Sequence, residues 1–204
     1  MARSPASATI DDMQTRIRAA SPRDAAGIAR VHAQSWRDTY RGILPAGYLA
    51  RLQNPAMARH WRQRLGFTGG RDVVVAERNR RVVGFATLSD VEDDEGLEGF
   101  AGEVGMLYLQ PELTGRGIGR RLFQHGLSIL ERHELYWAVT WVLDANKRAQ
   151  QFYRREGMRD DGARRRDLFD GVAVRVARYA KPINPAIDYG RLKAGGPVID
   201  TKGC

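Results

Sequence analysis

Residues 107–122 read LYLQPELTGRGIGRRL, an apolar strand-like run followed by a proline, a glycine-rich turn and the start of a helix. Glycines at 115, 117 and 119 allow the backbone to turn sharply and to approach a ligand closely, because glycine has no Cβ atom. A helix that begins there directs unpaired N–H groups and the positive end of its dipole out of the turn. The stretch therefore predicts a strand, a phosphate-binding turn and a helix.

Two other nucleotide-binding motifs do not match this turn. A dinucleotide-binding fingerprint requires Gly-x-Gly-x-x-Gly, whereas the turn reads Gly-x-Gly-x-Gly from Gly115 to Gly119. A P-loop requires Gly-Lys followed by Ser or Thr, and no such residues occur here. For an isolated glycine-rich turn, a plain connection between strand and helix is an equally good interpretation.

The rest of the chain predicts a mixed α/β fold. Before the turn, Ser21-Pro22-Arg23-Asp24 combines an N-cap, a proline at the first helical position and an acidic residue three after the cap. We expect a strand at 15–20, helices from Pro22, Pro45 and Pro55 (the last closed by Gly66), and a hairpin over 72–88. After the turn we expect a strand at 138–143, a helix at 147–155 and a hairpin around Asp170-Gly171.

Length and composition indicate one domain with tails. The 204 residues are 43% hydrophobic and 28% charged, which is typical of a globular protein. We predict a mobile arm at 1–14, the domain at 15–181 and an irregular tail at 182–204. No internal repeat is apparent.

The net charge and the cysteine content indicate which binding partners and which cellular compartment to expect for this protein. The formal net charge of +9 favours an anionic partner, which could be nucleic acid, a membrane surface or a phosphorylated cofactor. The sole cysteine is Cys204, so no internal disulfide or cysteine-based metal cluster can form. With no apolar run of about 20 residues and no secretory signal, we expect a cytoplasmic protein that does not enter membranes.

The segment from Leu107 to Leu122, together with WVLDANKRAQQFYRREGM at 141–158, resembles the acetyl-CoA signature of the GNAT superfamily of N-acetyltransferases. Two linked motifs are more specific than one. The resemblance covers roughly 17–181 and implies a central twisted, mostly antiparallel sheet with a V-shaped opening, flanked by helices. It implies an acyltransferase that uses acetyl-CoA as cosubstrate.

The resemblance assigns cofactor-binding residues along the strand and the turn. The family's phosphate loop reads Gln/Arg-x-x-Gly-x-Gly/Ala, so Thr114 replaces the usual Gln or Arg, which should change affinity without abolishing binding. Backbone groups near Leu107 and Leu109 are expected to bind the pantetheine arm. The remaining cofactor-binding candidates in the turn and the following helix are Gly115, Arg116, Gly117, Ile118, Gly119 and Arg120.

Three further positions match residues with a functional role in the family, and each of them also has a purely structural explanation. Asn146 matches a residue that contacts the pantetheine or the departing CoA, and it can equally be an N-cap. Tyr153 matches the general acid that protonates the thiolate, although an aromatic pair with Phe152 more often packs. Glu103 matches a general base in some relatives, whereas others use water and an exposed glutamate would explain it equally well.

The implied reaction is direct transfer of an acetyl group to a primary amine of a small-molecule or peptide acceptor, with no metal. Trp36, Tyr40 and Trp61 are candidate acceptor-pocket residues, although helix packing explains them equally well. The acidic run at 92–95 either attracts a cationic amine or solvates a loop.

Other readings stay open. A non-catalytic acetyl-CoA sensor or interaction module is the main alternative. A nucleic-acid binder ranks last, because the basic residues are dispersed and lack a recognition motif, so no specific nucleic acid is expected. A homodimer is left open.

Overall fold

The structure is a computed structural model that describes residues 15–52, 55–68, 72–91, 101–133 and 135–183. Its strands are β1 (Thr15–Ala19), β2 (Val73–Arg78), β3 (Arg81–Asp90), β4 (Ala101–Leu109), β5 (Trp137–Leu143), β6 (Arg159–Phe169) and β7 (Val172–Pro182). Its α-helices are α1 (Ala25–Thr39), α2 (Ala46–Arg51), α3 (Pro55–Thr68), α4 (Ile118–Arg132) and α5 (Lys147–Arg155). The strand order is β1-β2-β3-β4-β5-β7-β6. β1 with β2, β2 with β3, β5 with β7 and β6 with β7 pair antiparallel, whereas β4 and β5 pair in parallel. The predicted mixed α/β class and mostly antiparallel sheet are confirmed.

Two compact units make up the chain, and the divisions between them fall within β3, β4 and α4. The first unit runs to Leu88 and includes Gly105–Gly126, whereas the second contains Ser89–Val104 and continues from Leu127. The predicted arm at 1–14, the acidic run at 92–95 and all of the tail beyond Ile183 lie outside the described residues.

Helices cover both faces of the sheet in the first unit. Phe85 packs with α1 and α3 side chains that include Ile28 and Trp61. Its neighbour Gly84 points to the opposite face, because successive strand residues alternate, and there it meets Leu122 of α4. The turn between β2 and β3 places Asn79 and Arg80 at φ of 50° and 60°, as a tight hairpin turn requires.

The predicted helix start at Ser21 is confirmed, with a short 3₁₀ helix at Pro22–Asp24 leading into α1. The backbone N–H of Ser21 donates to the Asp24 carboxylate at 2.8 Å. Arg18 of β1 donates to both oxygens of the same carboxylate, also at 2.8 Å, and to Glu77 of β2. One capping residue therefore also joins the first strand to the first helix.

In the second unit, β5, β7 and β6 form an antiparallel group, and β5 pairs in parallel with Ala101–Glu103 of β4. The strand at the end of the sheet order, β6, is mostly exposed and carries an arginine run at 164–166. Arg178 donates to Asp161 at 2.6 Å, and the Arg165 guanidinium lies 4.3 Å from the Trp141 ring centroid. Charged pairs and cation–π contacts therefore hold this edge where apolar residues are few.

Helix α3 continues through Gly66 to Thr68, so the prediction that Gly66 closes it was wrong. A glycine inside a helix weakens it without ending it, and the sequence after Gly66 carries no other stop before residue 69. No helix in the described ranges combines the length and apolar character needed to cross a membrane.

Close packing at Gly84 gives a stability prediction. A Cβ there would lie 3.0 Å from the Tyr108 carbonyl oxygen, 3.1 Å from a Leu122 methyl group and closer still to Leu109. We expect Gly84→Ala to lower the free energy of unfolding by about 1–3 kcal/mol, because overpacking displaces neighbouring elements. Urea denaturation measures the difference.

Gly66→Ala is the matched control, since a Cβ there meets no atom within 4 Å. Alanine in a helix should stabilise the protein by about 0.5–1 kcal/mol. Equal effects of the two substitutions would show that close packing at Gly84 is unimportant.

Candidate active site

The glycine-rich turn lies between a 3₁₀ helix at Pro111–Leu113 and α4. Gly115 and Gly117 have φ angles of +76° and +80°, in the left-handed region that favours glycine. A Cβ at either position would meet no atom within 4 Å. Backbone conformation and not packing therefore requires these glycines, and the space beside them is open to a ligand.

The start of α4 presents backbone donors next to the turn. The Arg121 N–H bonds to the Gly117 carbonyl at 3.1 Å and opens the helical ladder. The N–H groups of Ile118 and Gly119 precede that bond and belong to the first turn, where a helix offers them no carbonyl. This arrangement suits an anion, which is stabilised by N–H groups and the helix dipole together.

Thr114, which replaces the usual Gln or Arg, holds the turn internally. Its hydroxyl donates to the Pro111 carbonyl at 2.7 Å, and its N–H contacts the same oxygen at 3.2 Å. Two arginines near Thr114 are candidates for binding the cofactor phosphates. Arg120 is exposed, whereas Arg116 is half-buried. Thr114 therefore shapes the turn, and the arginines remain candidates for charge.

Helix α1 anchors the segment that leads into the turn. Ser35 Oγ donates to the Leu109 carbonyl at 2.6 Å, and the Gln34 amide donates to Glu112 at 2.9 Å. Leu107 and Leu109 are half-buried. One lone pair of the Leu109 carbonyl is thus engaged by Ser35, and the predicted pantetheine contacts at these two residues stay a prediction.

Three of the predicted site residues lie in the second unit. Glu103 is half-buried and pairs with Val139 in the β4–β5 ladder. Asn146 is the N-cap of α5, because its Oδ1 accepts from the Ala149 N–H at 3.0 Å. Tyr153, on the same helix, is only 6% exposed.

Packing around Tyr153 fixes its ring. The ring centroid lies 5.1 Å from that of Phe152 and 6.5 Å from that of Tyr179 on β7. Arg154 lies over the other aromatic partner, with its guanidinium carbon 5.6 Å from the Tyr179 ring. Burial raises the pKa of the Tyr179 hydroxyl above its ordinary value.

Comparison with known families identifies the family of the chain. Residues 33–158 match the family described as Acetyltransferase (GNAT) family. The chain belongs to the GNAT acetyltransferase family. The predicted N-acetyltransferase class, with acetyl-CoA as cosubstrate, is thereby confirmed.

Curated relatives of this GNAT chain carry N-acetyltransferase names. The chain is 33% identical over 131 residues to an uncharacterised N-acetyltransferase, YuaI, of Bacillus subtilis (strain 168), covering 64% of this chain and 72% of that protein. It is 27% identical over 150 residues to a probable N-acetyltransferase, Rv2775, of Mycobacterium tuberculosis, covering 72% and 81% respectively.

Solved GNAT structures share the fold. A PaiA N-acetyltransferase from Thermoplasma acidophilum, solved with coenzyme A, matches with a TM-score of 0.66 at 21% identity, covering 82% of this chain and 98% of that one. A putative acetyltransferase, YncA, from Salmonella typhimurium, solved with acetyl-CoA, matches with a TM-score of 0.64 at 16% identity, covering 84% and 95%.

An aromatic cluster fills the first unit of this GNAT chain beside the end of β4. The cluster includes the rings of His32, Trp36, Tyr40, Tyr48, Trp61, Phe85 and Tyr108. Of the three candidate acceptor residues, Trp61 is 2% exposed and Trp36 and Tyr40 are 8% and 5% exposed, so packing accounts for most of their surface. Tyr48 and Tyr108 are half-buried at the rim. The sequence reasoning missed both, although Tyr108 lies within the signature strand.

His32 lies inside this cluster and not on a helix surface. Its ring stacks on Tyr108 at 5.7 Å and 15°, and neither ring nitrogen has a hydrogen-bond partner in the part of the chain that the structure describes. Burial, with a smaller contribution from His60, lowers the pKa of His32 to about 4. The described residues contain no group of three or more acidic, histidine or cysteine side chains suited to a metal ion.

This burial predicts a pH-dependent stability. In the unfolded chain His32 becomes protonated below a pH of about 6.5, whereas in the folded chain it stays neutral down to about pH 4. The free energy of unfolding therefore falls as the pH drops from about 6.5 to about 4. We expect His32 to lower the free energy of unfolding by about 3 kcal/mol over that range.

His32→Phe keeps an aromatic ring in the cluster without a titratable nitrogen. Urea denaturation between pH 7 and pH 4 should show a shallower fall for the variant, and the gap from the wild type should widen as the pH drops. Parallel curves would contradict a buried, neutral His32.

Proposed function

We propose that this GNAT chain transfers the acetyl group of acetyl-CoA directly to a primary amine of a small molecule or peptide. The observation that carries the proposal is the turn at Gly115 and Gly117, where two left-handed glycines and open space precede the first turn of α4. A pyrophosphate fits this set of backbone donors and the open space beside them. Ile118 and Gly119 N–H groups are the proposed ligands, and Arg116 and Arg120 supply charge.

The pantetheine arm is proposed to lie along β4. Backbone groups of Leu107 and Leu109 would bind its amides as a neighbouring strand would, which is a recognised mode of extended-ligand binding. Asn146 serves as the α5 N-cap through Oδ1, and its amide nitrogen remains a donor for the arm. Both roles are compatible in one side chain.

The proposed chemistry needs one base and one acid. An alkylamine has a pKa of about 10.4 and is mostly protonated at neutral pH, so Glu103 or a water must accept its proton before attack. The amine nitrogen then forms a bond to the thioester carbonyl carbon, the carbon–sulfur bond breaks, and Tyr153 donates its phenolic proton to sulfur. The nitrogen of the new amide releases its remaining extra proton, and an equivalent proton from solvent restores the Tyr153 hydroxyl. No covalent enzyme intermediate is involved.

Burial and packing suit Tyr153 to this task. Contacts with Phe152 and Tyr179 restrict its ring, and only 6% of the residue is exposed. A positioned acid in a site that excludes water transfers its proton at a defined place. The acceptor wall is proposed to include Trp36 and Tyr40, with Tyr48 and Tyr108 at the rim of the cluster.

An acceptor panel tests the proposal. Small amines, amino acids, aminoglycosides and peptides with free N-termini are each incubated with protein and acetyl-CoA, and free CoA is measured with a thiol reagent. We expect amine-dependent CoA release and an acetylated product by mass spectrometry. Saturable acetyl-CoA binding without amine-dependent release from any member would instead favour a non-catalytic sensor.

A further inference from the structure

The backbone near the end of β4 has one side turned toward β3. The Gln110 N–H donates to the Val83 carbonyl of β3 at 2.9 Å. The Met106 N–H donates to the Thr87 hydroxyl of the same strand, also at 2.9 Å. Successive residues of a strand direct their backbone groups to opposite sides, so even-numbered residues here face β3 and odd-numbered residues face away from it.

Helix α1 contacts the side that faces away from β3. The Ser35 hydroxyl donates to the carbonyl of Leu109, an odd-numbered residue, at 2.6 Å, and Ser35 is only 4% exposed. A serine inside a helix can instead donate to the carbonyl four residues earlier in its own helix. The hydroxyl carries a single hydrogen, so the bond to Leu109 takes the place of that local bond. Ser35 therefore acts on β4 and not on α1.

The same stripe of α1 holds the residue next to Leu109. His32 lies three positions before Ser35, so the two side chains share one side of the helix. The His32 ring stacks on that of Tyr108, with the centroids 5.7 Å apart and an angle of 15° between the planes. α1 thus contacts two consecutive residues of β4, one through its ring and one through its carbonyl. The paired contacts restrict how this part of the strand can move.

The carbonyl that Ser35 holds belongs to the stretch proposed to bind the pantetheine arm. The Leu109 N–H and both backbone groups of Leu107 face the same side as that carbonyl, because both residues are odd-numbered. Strand-like binding of an extended ligand depends on the alignment of such backbone groups. A shift of the backbone at Leu109 would therefore move these groups out of line with the arm.

We infer that Ser35 is a positioning residue of the acetyl-CoA site, which aligns the outward backbone of β4 with the pantetheine arm through the Leu109 carbonyl. This inference rests on the proposed course of the arm along β4. It adds a specific statement about affinity. Ser35 supports binding of the pantetheine part of the cosubstrate and leaves binding of the nucleotide part unchanged.

Two ligands separate these contributions. CoA carries the pantetheine arm, whereas adenosine 3′-phosphate 5′-diphosphate, the nucleotide fragment, carries the same nucleotide and pyrophosphate without it. Calorimetry of the full chain gives the Kd for CoA, and competition with CoA gives the Kd for the nucleotide fragment. The ratio of the fragment Kd to the CoA Kd, the arm ratio, measures what the pantetheine arm adds to binding.

Ser35→Ala is expected to lower the arm ratio about fivefold, because it removes one hydrogen bond that aligns the strand. The Kd for the nucleotide fragment should stay close to that of the wild type, since the glycine turn keeps its backbone donors. An unchanged fragment Kd also shows that the variant is folded.

Arg30→Met is the matched control. It removes another hydrogen bond from α1 to a strand carbonyl, the one from Arg30 Nη2 to Val82 of β3 at 3.0 Å. This bond reaches β3 and not β4, so the arm ratio should stay that of the wild type.

Several results would overturn the inference. An arm ratio that Ser35→Ala leaves unchanged would reject Ser35 alone, and an equal weakening or loss of both ligands would show that Ser35 only supports the fold. An equal fall of the ratio in Arg30→Met would attribute the effect to any loosening of α1. If the wild type binds CoA and the nucleotide fragment equally well, the arm adds nothing, and its proposed course along β4 fails together with the role of Ser35.

Discussion

Replacing Gly117 by alanine is expected to weaken acetyl-CoA binding at least about tenfold, the equivalent of one lost hydrogen bond to a charged phosphate. Gly117 has a φ of +80°, which alanine adopts only with strain. The turn would relax and shift the N–H groups of Ile118 and Gly119 that follow it. Isothermal calorimetry of wild type and variant measures the change in Kd.

Gly171→Ala provides the matched control. Gly171 has nearly the same φ, +79°, in the hairpin turn between β6 and β7, and a Cβ there would also meet no atom within 4 Å. The control should lose stability to a similar extent while its Kd for acetyl-CoA stays unchanged. Equal Kd values for wild type and Gly117→Ala would show that the turn does not bind the pyrophosphate.

Tyr153→Phe is expected to lower kcat by about 100-fold or more, since a positioned general acid contributes about 10²–10⁴ to the rate. The Kd for acetyl-CoA should remain nearly unchanged, because the hydroxyl acts on sulfur as the bond breaks and not on the bound ground state. The measurement uses the amine that releases CoA fastest. Phenylalanine preserves the ring contacts with Phe152 and Tyr179.

Tyr179→Phe removes the same atom from the neighbouring ring. Tyr179 is 1% exposed and carries no proposed role in the reaction, so kcat should stay close to that of the wild type. If both variants keep full activity, Tyr153 is a packing residue. If both lose activity equally, the loss comes from the shared aromatic packing and not from a proton donor.

Local sequence signals predicted most elements of the fold. Helix α5 has the predicted bounds, 147–155, because Asn146 caps it and Gly157 follows it with a left-handed φ of +85°. The hairpin at Asp170-Gly171 is likewise confirmed, since its residues adopt the positive φ angles that such a turn needs. In both cases one or two residues determine the local backbone.

Long-range packing was harder to predict. No local pattern in the sequence predicts the burial of His32, which lies among rings contributed by distant residues such as Phe85 and Tyr108. The close approach at Gly84 also depends on Leu122, which is far away in sequence. Neither contact has a local signal, because each depends on elements that meet only in the folded chain.

The same distinction between local signals and long-range contacts applies to the candidate site. The glycine turn could be predicted, since positive φ angles at Gly115 and Gly117 follow from residue type and spacing. The internal hydrogen bond of Thr114 and the tether from Ser35 to Leu109 could not, because many residues could serve as their partners.

Titration of the protein with acetyl-CoA by isothermal calorimetry tests the central claim most directly. Because the turn offers backbone donors at Ile118 and Gly119 beside two left-handed glycines, we predict saturable one-to-one binding at micromolar to millimolar concentration. No saturable heat up to millimolar acetyl-CoA would contradict it.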